Sequence, residues 1–119
     1  MTDFAAYVLE LLAPLGRVRA RRMFGGHGIY CDDVMIALIA DDVLYFKVDA
    51  HSRAAFERTG SEPFTYEARG KRATMSYWRA PDEAMESPAA ALPWAREALA
   101  AALRSRAASA TARRLTRRK

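Results

Sequence analysis

Apolar and polar positions recur along this chain with two different periods, and the switches between them divide it into elements. Phe4, Tyr7, Val8, Leu11 and Leu12 recur at helical spacing, which predicts an amphipathic first helix. Thr2 is placed to cap it, Asp3 suits the positive end of its dipole, and Pro14 and Gly16 stop it. Residues 17–23 then set Arg17, Arg19 and Arg21 against Val18, Ala20 and Arg22, the pattern of a strand or an extended arm. Gly25, Gly26 and Gly28 crowd together next and mark a sharp turn or a bulge, because glycine adopts positive φ at little cost.

Three β-rich runs follow, over 28–31, 34–40 and 43–48, separated by Asp32-Asp33 and Asp41-Asp42. Two polar residues between such runs predict consecutive hairpins and an antiparallel meander. Leu44, Phe46 and Val48 share one face of the third run, and Tyr45 and Lys47 the other, so one face is core and the other partly wet.

In the second half, Asp49 is placed to cap a short helix over 50–59 that Gly60 ends. Residues 64–68 and 73–78 read as two further strands joined through Arg69-Gly70-Lys71-Arg72. Pro81 opens a helical turn through Met85, and Ser87-Pro88 has the form of a helix start. Leu92, Ala95, Leu99 and Leu103 give the last helix an apolar stripe. Pro93 either kinks it or marks its true beginning. The resulting order, α–β–β–β–α–β–β–α, predicts an α+β two-layer sandwich: a five-stranded antiparallel sheet with helices on one face.

Composition narrows the class. At 119 residues and 51% apolar content, one domain can bury roughly 65% of its unfolded surface without a metal or disulfide. The single cysteine, Cys31, cannot form an internal disulfide. The N-terminus lacks the form of a signal peptide, and the longest nearly apolar run, 34–40, is far short of the roughly 20 residues that span a bilayer. The expectation is a cytoplasmic protein with no membrane partner.

Charge is uneven. Residues 1–103 hold 12 Lys/Arg against 14 Asp/Glu, a net of −2, whereas residues 104–119 hold seven basic residues and no acid. The expected division is a domain over 1–104 and a basic tail over 105–119 that is flexible or extends the last helix. Arg113, Arg114, Arg117, Arg118 and Lys119 make the tail a candidate for polyanion binding, against the plainer reading of a solvated end.

Catalytic patterns are weak. His27 and Cys31 on one strand would stand ~13 Å apart, too far for thiol activation unless the glycine turn folds back. No CxxC, HExxH or EF-hand spacing occurs. The glycine cluster leads into a strand rather than a helix, so no helix dipole faces a phosphate. The arginine row of Arg17, Arg19 and Arg21, spaced ~6.6 Å apart on a strand, could track a nucleic-acid backbone or form an ordinary wet face with paired acids. No aromatic residues interleave within the row itself.

The run Arg22-Met23-Phe24-Gly25-Gly26-His27-Gly28-Ile29-Tyr30 resembles the signature of the TfoX/Sxy N-terminal domain family. Four further stretches resemble that family in order: Leu44-Tyr45-Phe46-Lys47-Val48-Asp49, Gly60-Ser61-Glu62-Pro63-Phe64-Thr65-Tyr66, Met75-Ser76-Tyr77-Trp78 and Leu92-Pro93-Trp94-Ala95. The stretches lie between Arg22 and Ala95, and the resemblance covers roughly residues 5–103. The resemblance implies a two-layer α+β fold similar to bacterial secretion chaperones, and a link to regulation of natural competence and of transcription. It brings no catalytic residues and no cofactor. The founding regulators carry a second, helical domain, so this chain is expected to be a stand-alone N-terminal domain.

The expectation is a non-enzymatic regulatory or adaptor domain. It would bind a protein partner, such as part of the transcription machinery, through an exposed sheet face, a sheet edge or the turn carrying Arg22, Met23, Phe24, Gly25, Gly26, Gly28 and Tyr30. A homodimer through an exposed edge is a further expectation. The alternatives are nucleic-acid binding by the arginine row and the tail, and an enzyme whose site would be a polar pocket around His27 and Cys31.

Overall fold

The structure is a computed structural model in which residues 2–117 are described, with the side chains of residues 116 and 117 left out. Helix α1 (Asp3–Leu12) is capped by Thr2, whose hydroxyl accepts a hydrogen bond from the Ala5 N–H at 3.1 Å. Six strands follow around a short helix: β1 (Val18–Met23), β2 (Gly26–Cys31), β3 (Val34–Ala40), β4 (Val43–Lys47), α2 (Arg53–Arg58), β5 (Pro63–Ala68) and β6 (Lys71–Arg79). A 3-10 turn (Asp82–Met85) leads into α3 (Pro88–Arg117). All neighbouring strands pair antiparallel in the order β1-β2-β3-β4-β6-β5.

The sheet therefore has six strands, not five, and four of them precede α2. The added strand is the arginine segment. Val18 and Ala20 pack against the core, and β1 pairs with β2 along its whole length. Alternate arginines left the segment open between strand and arm, because its apolar positions are few. Pairing with β2 settles it.

Four two-residue turns join the hairpins. Asp32-Asp33 and Asp41-Asp42 turn the first half, with positive φ at Asp32, Asp41 and Asp42. Aspartate tolerates that region because its short side chain hydrogen-bonds locally. Arg69-Gly70 alone turns β5 into β6, so β6 begins at Lys71, two residues earlier than the apolar pattern indicates. A bulge in β3 at Ile29/Tyr30 of β2 places Ile36 and Ala37 consecutively in the core, which accounts for the unbroken apolar run there.

One face of the sheet carries the core: Ile29, Cys31, Ile36, Ile39, Leu44 and Phe46 pack under α1 and α3. The seam of α3 is Ala91, Ala95, Ala98 and Ala102, all buried. Leu92 and Leu99 flank this seam half-buried and Leu103 is exposed, so the leucine stripe is the edge of the contact and not its centre. Alanine lets the helix axis approach the sheet closely, and the larger side chains come from below. Phe56 of α2 closes the far end, its ring edge-on to Trp94 at 4.9 Å.

Helix boundaries follow local chemistry. Ser87 caps α3 through its hydroxyl, which accepts from the Ala90 N–H, and α3 runs through Pro93 without interruption. Asp49 does not cap α2 directly. It accepts from the N–H groups of His51 and Ser52, so α2 begins only at Arg53. The other role of Asp49 is to hold α3: its two carboxylate oxygens accept from Arg104 at 2.6 and 3.0 Å. Arg106 donates a single hydrogen bond to one carboxylate oxygen of Asp33 at 3.1 Å.

Two outcomes are expected. Ala98→Leu overfills the α3 seam and destabilises by about 1–3 kcal/mol, read from the urea midpoint. Acid removes part of the stability through Asp49. The Arg104 guanidinium holds its carboxyl at about 2, against the usual 3.8, with the two backbone N–H groups adding to the effect and burial opposing it. A depressed carboxyl contributes fully above its unfolded value and loses that contribution as pH falls through the folded one. Stability should therefore drop between pH 3.8 and about 2, and Asp49→Asn should flatten that part of the profile.

Candidate functional site

Helices cover one face of the sheet, and the other face is where the sequence-predicted residues gather. On β1, Arg19 and Arg21 alternate with the core-facing Val18 and Ala20 and so project from the open face. Arg17 lies just before the strand, exposed, and Arg22 lies on the helix side at its end, across from His27. The neighbouring strand supplies an aromatic that the row itself lacks: the Arg19 guanidinium lies 4.9 Å from the Tyr30 ring centroid. Further along the open face come Tyr45, Phe64 and Tyr66, with Tyr45 edge-on to Phe64 at 4.9 Å and Phe64 stacked near Tyr66 at 6.3 Å.

The glycine cluster has three separate jobs. Phe24 and Gly25 form the two-residue turn between β1 and β2, with φ of 47° and 77°. That geometry is a type I′ hairpin turn, whose first position favours asparagine, aspartate or glycine. A Cβ on Gly26 would stand 2.0 Å from the Ile39 carbonyl oxygen, so only glycine permits β2 and β3 to pair there. A Cβ on Gly28 would meet Met23 Sδ at 2.7 Å and Met35 Cε at 3.2 Å, so its absence lets the two methionines close over β2.

Those methionines form one wall of a groove. The tip of the β1–β2 hairpin and the β5–β6 hairpin face each other across the open side and enclose about 560 Å³. Met23, Met35 and Leu38 line it from one side, and Phe64, Tyr66, Met75 and Tyr77 from the other. None of the twelve lining residues is Asp, Glu, Lys or Arg. One feature of this groove is unusual. Phe24, at its mouth, is fully exposed although its backbone is in the left-handed region. An αL conformation at a bulky residue costs of order 1–3 kcal/mol. His27 borders the groove through its position in β2, but it alternates with Gly28, so its side chain lies on the helix side with Ile29 and Ile39; it is buried there, and its Nε2 lacks a hydrogen-bond partner among the described residues.

Titratable groups near the groove are tuned by burial. The Tyr77 phenol is pushed up by burial and then by Tyr30, so it stays protonated. The Lys47 ammonium is pushed down by burial, partly offset by Asp49. It donates to Ser76 Oγ at 2.6 Å and lies 5.2 Å from the Tyr77 ring centroid. Cys31 lies in the core instead, its thiol pushed up by burial and then by Asp32, so it is held as an unreactive thiol.

Met23, Phe24 and Gly26 thus come together in one groove, while Tyr30 pairs with Arg19 beside it and the side chains of Arg22 and His27 lie on the helix side. Arg113 and Arg114 are exposed on the last turns of α3. The Arg117 side chain, Arg118 and Lys119 lie outside the described residues. Sequence reasoning missed Met35, Leu38, Phe64, Tyr66, Met75 and Tyr77. The signal was available in part: Phe64/Tyr66 and Met75/Tyr77 are large residues at strand alternation, on the face opposite the one that meets the helices. No three His, Cys, Asp or Glu side chains converge among the described residues, and no helix there is long and apolar enough to cross a membrane.

Comparison with known proteins places this geometry in a family. Residues 10–102 match the family model described as the TfoX N-terminal domain. The chain is 34% identical over 99 residues to the DNA transformation protein TfoX1 of Aliivibrio fischeri, covering 83% of this chain and 47% of that protein. It is 26% identical over 106 residues to Protein Sxy of Escherichia coli, covering 89% of this chain and 51% of that protein. It is also similar to an uncharacterized 12.7 kDa protein in the trpE 5′ region of Spirochaeta aurantia, 30% identical over 87 residues, 72% of this chain and 70% of that protein. The chain spans about half the length of the first two.

The strained turn gives a paired expectation. Phe24→Asn supplies the residue that a type I′ turn favours and stabilises the fold by about 1 kcal/mol. Gly26→Ala places a methyl group against the Ile39 carbonyl and destabilises, by at least as much. Urea unfolding of both variants beside the parent chain checks the pair.

Proposed function

Since the chain belongs to the TfoX N-terminal domain family, we propose that it is a non-enzymatic regulatory domain that works by docking a protein partner on the open face of its sheet. The observation that carries this reading is Phe24. A fully exposed aromatic, held in a costly backbone conformation at the mouth of an uncharged groove, is a poor choice for the fold alone. Strain of this kind persists where a function uses it, and an apolar patch with a polar surround marks interaction surfaces. The name of the Aliivibrio fischeri relative, a DNA transformation protein, supports a regulatory setting in DNA uptake, and transcription machinery is the partner class we favour. The cytoplasm is the compartment this reading requires.

The sheet edge at β1 is less suited to a second copy of the chain. Antiparallel self-pairing there would bring the Arg19 and Arg21 row of one copy against the same row of the other, and like charges opposite one another destabilise a strand pair. The domain is therefore expected to work without pairing along that edge.

A second reading has its own observation. Arg113 and Arg114 are exposed on α3 beyond Arg106, so the basic end of this helix can meet a polyanion. Arg104 and Arg106 already serve Asp49 and Asp33. The informative truncation therefore removes residues 107–119 and keeps both ion pairs. DNA affinity that falls steeply between ~50 and ~200 mM salt and disappears with this truncation would support it. Unchanged affinity would remove it.

For the leading reading, a photo-cross-linking amino acid at position 24 should capture one discrete protein in cells, and the same residue at position 96, exposed on the helix side, should not. Leu38→Glu, in the groove, should abolish the capture. Equal capture from both positions, or none from position 24, contradicts the docking face.

A further inference from the structure

Charge on the strands is sorted by face. By register and alternation, the open side carries Arg19 and Arg21 of β1, Lys47 of β4, and Lys71 and Arg79 of β6, and no aspartate or glutamate. Glu67, the one acid within the six strands, stands opposite Arg72 on the other side. Asp32, Asp33, Asp41 and Asp42 sit in the turns at the strand ends. Lys47 is engaged with Ser76 and the Tyr77 ring. Arg19 and Arg21 are exposed and have no carboxylate partner among the described residues, where the ion pairs belong to Arg104 and Arg106. They share their strand face with Met23, a wall of the groove, at ~6.6 Å per alternate residue. Two unpaired cations therefore stand beside an uncharged groove of about 560 Å³, a ligand-sized space.

The groove itself is adaptable. Three of the chain's five methionines, Met23, Met35 and Met75, line it, and flexible thioethers mould to varied apolar side chains. It lies on a sheet face and not along an edge, so an occupant finds no free strand to pair with. Backbone N–H and C=O groups entering it must be satisfied within the occupant, as they are in a helix. Three other occupants fit less well. The basic end of α3, with seven Lys/Arg and no acid over 104–119, meets like charge at Arg19 and Arg21, and so does the open face of a second copy. A nucleic-acid strand would bring phosphates to a groove lined by no charged residue. Its bases would have to stack where Tyr77 is buried and Tyr45 and Phe64 already pack edge-on.

We infer that the groove receives the apolar face of an acidic amphipathic helix from a protein partner, with carboxylates of that helix paired to Arg19 and Arg21. This rests on the docking reading above and names the partner's chemistry. Apolar anchors at i, i+3, i+4 and i+7 fill the groove and cover Phe24 at its mouth, and acidic residues on one flank of the same helix reach the arginine row. The apolar contact supplies affinity, and the charge selects the partner.

The test titrates the full chain, its methionine methyl groups labelled and observed by NMR, with three peptides of ~18 residues, long enough to become helical on binding. The first places leucine at helical spacing among glutamate and glutamine. The second has lysine for each glutamate. The third keeps the composition of the first with the leucines scrambled off that spacing. The acidic helix is expected to shift the Met23, Met35 and Met75 signals and leave Met85, which packs on the helix side, unmoved. It should bind about tenfold more tightly than either other peptide at ~50 mM salt, with the margin over the basic peptide shrinking to about threefold or less at ~500 mM. Arg19→Glu combined with Arg21→Glu, both at exposed positions, should reverse the order of the acidic and basic peptides.

Equal binding of the acidic and basic peptides, or an order that the double substitution leaves unchanged, overturns the charge pairing. Equal binding of the scrambled peptide overturns the helix. A single-stranded oligothymidylate that shifts the same methyl signals more readily than the acidic helix overturns the protein source. Methyl shifts that follow the chain's own concentration, or that appear on removing residues 107–119, assign the groove to a second copy or to the end of α3 and overturn it likewise. Capture of a discrete protein from position 24 alongside any of these failures leaves the docking face standing with a partner of other chemistry. Absence of that capture removes the docking reading and this inference with it.

Discussion

The contact between α3 and the core face of the sheet governs the rest of the molecule. A seam of four alanines, Ala91, Ala95, Ala98 and Ala102, brings the helix against β3 and β4, and α1 packs beside it. Both long helices lie on this side, with Phe56 of α2 closing its far end. Nothing in the described residues covers the opposite face, so whatever apolar surface the strands present there is left for another use. The ion pairs of Asp49 with Arg104 and of Asp33 with Arg106 fasten the later turns of α3 to the strand loops. Part of the chain's basic charge thus belongs to the fold.

The open face is then shaped by small departures from regular strand chemistry. Gly28 leaves room for Met23 and Met35, and Gly26 admits the Ile39 carbonyl. The turn between β1 and β2 places Phe24 in solvent with a backbone conformation that asparagine would adopt more cheaply. A fold optimised only for stability would fill position 24 differently. The groove and the exposed phenyl ring coincide at one hairpin tip, and that coincidence supports the proposed docking face.

Much of this was legible in the chain. Helix α1 and its Thr2 cap, the two Asp-Asp turns and the Ser87-Pro88 start of α3 follow from local chemistry, and the structure shows them. The sixth strand was ambiguous because only Val18 and Ala20 of β1 pack against the core, and pairing with β2, a non-local fact, decides it. The α3 stripe was misplaced because leucines dominate hydropathy while the close contact needs alanine. The family signature pointed to Met23, Phe24 and Gly26, yet nothing in one sequence brings them opposite Phe64, Tyr66 and Met75. That meeting depends on how the sheet curves, and curvature comes from bulges and twist.

On the proposed function, another protein covers the open face in the cell and leaves the helix face free. Single cysteines at Phe24 and Tyr66, compared with one at Arg96, test it directly through their rates of maleimide labelling, with buried Cys31 as a low background. The account predicts that in cells Phe24→Cys and Tyr66→Cys label several-fold more slowly than in the purified protein, while Arg96→Cys labels alike in both. Equal labelling of all three positions in both settings would contradict it.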